Sequence, residues 1–75
     1  PEPTKSPIEM LSDRELAVFR LLGQGKGVRQ IGEELGVTIP TVNSFRNRIK
    51  EKLQLKSSTE VMLHAIHWVR EESAG

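Results

Sequence analysis

The sequence has no cysteine and no tyrosine, and only one tryptophan and two phenylalanines among its 75 residues. Without cysteine there is no disulfide framework, no thiolate zinc site and no cysteine nucleophile. His64 and His67 stand three residues apart with no evident third ligand, so neither a metal nor a cofactor is assigned. No apolar run approaches the roughly 20 residues of a membrane span, and Pro1 to Met10 lacks the apolar stretch of a secretory signal. A cytoplasmic chain with no membrane partner is expected.

A surplus of one charge sign is also missing, since the formal net charge is only +1. Its distribution says more than its sum. Arg46, Arg48, Lys50, Lys52 and Lys56 form a basic run broken only by the acid at Glu51, whereas acids gather at Glu9, Asp13, Glu15, Glu33 and Glu34. A chain this short supports one small core and leaves little room for a deep catalytic cleft. The carboxylates of Asp13, Glu15, Glu33 and Glu34 come with no nucleophile and base beside them, so they read as solvated helix surface and the chain as no enzyme. The glycines of GQGKG (23–27) follow a helical pattern rather than a strand and match neither GxGxxG nor a Walker motif, so no phosphate cradle is expected.

What the chain does contain is helical periodicity. Pro1, Pro3 and Pro7 keep the start extended, so residues 1–9 read as a linker and the domain as residues 10–72, with a frayed tail at 73–75. Ile8, Met10 and Leu11 are expected to pack as the chain enters the core. Ser12 with Glu15 has the spacing of a capping box and predicts a helix from about Asp13 to Leu22, directing Leu16, Phe19 and Leu22 inward. Val28 to Leu35 reads as a short helix closed by Gly36, with Gly32 left small for the close approach of the next helix. Ser57 and Glu60 repeat the capping spacing ahead of a fourth helix, about Ser58 to Glu71.

Between the short helix and the fourth lies Thr38 to Leu53, whose two faces need different partners. Val42, Phe45, Ile49 and Leu53 fall on one stripe that wants a core. Asn43, Ser44, Asn47, Arg48 and Glu51 occupy the opposite side, with Arg46, Lys50, Lys52 and Lys56 on the shoulders or just beyond. Short amides and hydroxyls flanked by long cations are what a helix in a DNA major groove requires. Thr38 is placed to cap this helix, and Pro40 sits in its first turn. A short helix, a tight turn and a long helix in succession are the order of a helix-turn-helix.

The segments LSDRE, FRLLGQG, RQIGEELGV, TVNSFRNRIKEKL and LKSS, spread over Leu11 to Val69, resemble the four-helix DNA-binding domain of the LuxR/NarL group of bacterial transcription regulators. The resemblance implies an all-α helix-turn-helix domain that binds double-stranded DNA in a sequence-specific way. It also implies the output domain of a response regulator, joined to an N-terminal receiver or sensory domain. The base-reading positions of that group fall on Asn43, Ser44 and Asn47, with Asn43 and Asn47 suited to adenine edges. Candidate phosphate contacts are Lys26, Arg29, Thr41, Arg46, Arg48 and Lys50. Two positions depart from the group, Asn43 where lysine is common and Phe45 where histidine is frequent.

The fourth helix of such domains commonly supports dimerisation on paired half-sites. Here Met62, Ile66 and Val69 are expected to face outward as a weak homodimer surface effective on DNA, with Val61, Ala65 and Trp68 inward. A second reading, a protein-interaction module that keeps the fold without reading DNA, draws on the modest charge and the two departures.

Overall fold

The computed structural model describes residues 7–74. It contains a 3-10 turn, Pro7–Met10, followed by four helices: α1 Asp13–Gly23, α2 Val28–Leu35, α3 Ile39–Lys52 and α4 Ser58–Ala74. No strand occurs among the described residues. Most of the expected linker, residues 1–6, lies outside the described part, as does Gly75. The helix starts agree closely with the sequence pattern, and α4 continues past Glu71 because Glu72, Ser73 and Ala74 bring neither glycine nor proline to stop it.

Local chemistry fixes the helix ends. At α1 the capping box is complete, with the Ser12 N–H donating to Glu15 Oε1 at 2.9 Å and the Glu15 N–H donating to Ser12 Oγ at 3.2 Å. At α4 the second box is shifted by one residue. The Glu60 N–H donates to Ser57 Oγ, but the Glu60 carboxylate takes the N–H of Lys56 instead of Ser57. Helix α3 ends with the Gln54 N–H on the Glu51 carbonyl and the Leu55 N–H on the Lys50 carbonyl. That pair of bonds requires a left-handed residue, which is Gln54 at φ 57° rather than a glycine.

The core joins Leu11, Val18, Phe19 and Leu22 with Ile31, Val42, Ile49, Val61 and Ala65. Helix α1 is its hub and packs chiefly on α4 and α3. Phe19 and Leu22 are buried as expected, Leu16 and Leu21 pack half-buried against the core, and Val18 is fully buried with them. Met10, expected to pack, is 56% exposed, while Ile8 and Leu11 do meet the core. Each fully buried valine, isoleucine or phenylalanine contributes about 1.5–3 kcal/mol relative to exposure.

Two small residues set how closely the helices approach. A Cβ at Gly32 would come 2.8 Å from the Val37 carbonyl oxygen and 3.6 Å from Val42 Cγ2, so the α2–α3 turn folds directly against α2. A Cβ at Gly23 would overlap the Ala65 carbonyl and Val69 Cγ2, so the end of α1 lies on the backbone of α4. Trp68 closes the same seam, with its ring centroid 5.5 Å from that of Phe19 and the Arg20 guanidinium 5.0 Å above it. Arg20 also pairs with Glu72.

Candidate nucleic-acid interface

The placement of every polar group on α3 follows from where Val42 and Ile49 go. Both are fully buried, and Phe45 and Leu53 pack half-buried beside them. At about 100° per residue, Ser44, Asn47, Arg48 and Glu51 then fall on the far side, and all four are exposed. Asn43, Arg46 and Lys50 share one flank and are half-buried. Lys52 falls on the other flank, apart from these cations.

That flank faces the start of α1, and there Lys52 is committed inward. Its Nζ donates to Glu15 Oε1 at 2.7 Å and to the Met10 carbonyl at 3.2 Å. The sequence pattern placed Lys52 with the shoulder cations, but the ion pair with a carboxylate only 3% exposed outweighs solvation of a lysine tip. Burial pushes the Glu15 carboxyl up. The Lys52 ammonium and the hydrogen bonds from Ser12 outweigh it and hold the group below its ordinary value. Glu15 is therefore a charged tie between the first turn of α1 and the last turn of α3.

The other candidates divide by how free they are. Arg29, at the start of α2, and Arg48 are exposed and carry no ion pair among the described residues. Lys26 is held by Glu34 at 2.7 Å, and Gln30 Nε2 also reaches that carboxylate, at 3.4 Å. Thr41 lies against the cap of α3: its N–H donates to Thr38 Oγ1 at 3.3 Å, and the two hydroxyls are 3.0 Å apart. Asn43 Oδ1 and Arg46 Nε are each enclosed by protein without a hydrogen-bond partner among the described residues. The two atoms lie on the same flank of α3, at positions i and i+3.

On α4, Val61 and Ala65 are fully buried and Trp68 packs half-buried on the core, as the periodicity indicates. Of the outward trio, Met62 is 39% exposed, while Ile66 and Val69 are half-buried. Val69 is turned toward Gly23 of α1. The most exposed apolar side chain on this helix is Leu63, at 59%, which borders a shallow hollow with His64 and His67. Leu63 was missed as a surface residue although its phase discloses it, about 200° around the helix from the buried Val61. His67 pairs with Glu71 one turn on, at 3.1 Å.

Residues 9–65, from the entry turn to the middle of α4, match the family described as "Bacterial regulatory proteins, luxR family". The chain belongs to that family. The response regulator UvrY of Escherichia coli K12 is 39% identical over 66 residues, covering 88% of this chain and 30% of that protein. The oxygen regulatory protein NreC of Staphylococcus carnosus is 38% identical over 63 residues, covering 84% of this chain and 29% of that protein. The chain thus spans about three tenths of the length of these curated relatives. Among the described residues, no helix is long and apolar enough to cross a membrane.

Proposed function

We propose that this chain binds double-stranded DNA in a sequence-specific way and regulates transcription as the output domain of a bacterial response regulator, with α3 in the major groove. The observation that carries this reading is the division of α3 itself. Val42 and Ile49 anchor it completely, Gly32 and the left-handed Gly36 bring it out of a tight turn, and Ser44, Asn47 and Arg48 are left in solvent. The description of UvrY as a response regulator supports the same context. An N-terminal receiver or sensory domain would control it.

In this reading Asn43, Ser44 and Asn47 contact base edges, and Arg29, Thr41, Arg46, Arg48 and Lys50 hold phosphates on either side. Lys26 joins them by leaving Glu34. A weak homodimer forms on adjacent half-sites through the outer face of α4, where Met62 and Ile66, flanked by Val69, are joined by Leu63. Linked binding through DNA stabilises a contact too small to persist alone.

The test is a titration of the folded chain with duplexes enriched from a random pool and with unselected duplex, at several salt concentrations. Selected DNA is expected to bind more tightly, with affinity falling steeply with salt. Arg29→Gln should lower the salt slope by about 0.9, one phosphate contact. Equal affinity for all duplexes under conditions where the dimer forms would sink the reading.

A further inference from the structure

Four large apolar side chains are exposed among the described residues, and Ile39 is the one that lies on α3. It holds the first position of that helix, is 38% exposed, and belongs neither to the core nor to the half-buried apolar residues around it. Val37, two residues earlier, does pack half-buried on the core, just before the cap at Thr38. The entry of α3 is therefore anchored without Ile39. At about 100° per residue, Ile39 stands one turn before Asn43 and within about 40° of Asn43, Arg46 and Lys50 around the helix. It extends toward the N-terminus the flank that the DNA-binding reading gives to base edges and phosphates. A helical side chain also leans toward the start of its own helix, so Ile39 is carried toward whatever the end of α3 meets.

The chemistry of that end suits a polyanion. Acids in a first turn stabilise a helix by meeting its positive end. Helices α1 and α4 have them, in Asp13, Glu15 and Glu60, whereas α2 and α3 have none. Resting on the DNA-binding reading above, we propose that Ile39 is a specificity-determining residue that selects thymine by packing on its C5-methyl group. Base edges in the major groove otherwise present hydrogen-bond donors and acceptors, to which an aliphatic side chain offers nothing. The contact removes apolar surface from water on both sides and neutralises no phosphate, so its loss leaves the salt dependence of binding unchanged. Isoleucine is β-branched and stiff at χ1, so holding it against a base sacrifices little freedom.

The experiment enriches duplexes from a random pool with the wild-type chain and with Ile39→Ala, each checked for a cooperative urea transition. Every thymine of the wild-type consensus is then replaced singly by deoxyuridine, which lacks only the methyl group. At one thymine the replacement should weaken wild-type binding about fourfold, the worth of one buried methyl group, with an unchanged salt slope. The same replacement should leave Ile39→Ala unaffected, and the Ile39→Ala pool should lose its preference for thymine there. Ile39→Val, which keeps a branched pair of methyl groups, should retain the discrimination. Equal sensitivity of wild type and Ile39→Ala to deoxyuridine at every thymine overturns the assignment, as does wild-type binding that no deoxyuridine weakens; DNA reading stands in both cases. No enriched sequence with the wild-type chain overturns both.

Discussion

Helices α3 and α4 each carry more outward surface than the core uses, and the surplus is of opposite kinds. On α3 it is polar: Ser44, Asn47, Arg48 and Glu51 stand in water opposite a stripe in which Val42 and Ile49 are fully buried and Phe45 and Leu53 half-buried. On α4 it is apolar, with Met62 and Leu63 exposed beside the histidines. A polar face is content in solvent, so whatever binds it must offer hydrogen bonds or charge as good as those of water. An apolar face gains from any cover, yet two or three side chains fall well short of the roughly 1,200 Å² of a stable interface. The difference makes α3 selective and α4 auxiliary.

The strongest way to break the comparison is to dislodge α4 without touching its outer face. Gly23→Val puts a side chain where the Ala65 carbonyl and Val69 Cγ2 already lie, and should cost about 3 kcal/mol. Urea unfolding should give a lower midpoint with an unchanged slope; an unchanged midpoint would mean that the seam yields freely.

A smaller effect is expected at the tie that holds the end of α3. Lys52→Met strands the Glu15 carboxylate, 3% exposed, beside an apolar side chain. Because Lys52 is itself partly solvated, the loss at neutral pH should be about 1–2 kcal/mol. The folded-state pKa of Glu15 is depressed, so its contribution is present above the ordinary glutamate value, about 4.3, and disappears as the pH falls through the folded value. The stability gap between wild type and Lys52→Met should therefore narrow in acid, as read from urea midpoints at successive pH values. A gap independent of pH would show that Lys52 acts by packing alone.

The smallest effect on stability belongs to the outer face of α4. Leu63→Ser removes an apolar group that is mostly in water, so the melting midpoint should move by no more than about 0.5 kcal/mol equivalent. On duplexes with two half-sites the same substitution should reduce cooperativity, while binding to a single half-site is unchanged. Retained cooperativity would confine α4 to its core role.

How much of this was legible depended on whether a feature is local. The starts of α1 and α2, the cap at Thr38 and the buried set Val42, Ile49, Val61 and Ala65 all follow from spacing within one helix. Lys52 was misplaced because its partner, Glu15, lies 37 residues away in sequence, and no periodicity reports a long-range pair. At Gly23 only the approach of α4 reveals that the lack of a side chain is a steric need. Gln54 resists reading for a different reason: glutamine does not announce a left-handed turn, and the pull of Leu53 and Leu55 toward the core imposes it. The candidate DNA face was legible in outline, but the cover over one atom of Asn43 depends on neighbouring side chains.

The Lys26–Glu34 pair bears on how firmly the chain would hold DNA rather than on which sequence it would select. A lysine already held at 2.7 Å by a carboxylate would meet DNA by changing partners, so under the proposed reading a phosphate would have to displace Glu34 to gain Lys26. Under the proposed DNA reading, Arg29 and Arg48, which carry no ion pair among the described residues, would reach a phosphate without such an exchange. The Lys26 contact would then be weaker than that of an untethered lysine by whatever the Glu34 pair contributes.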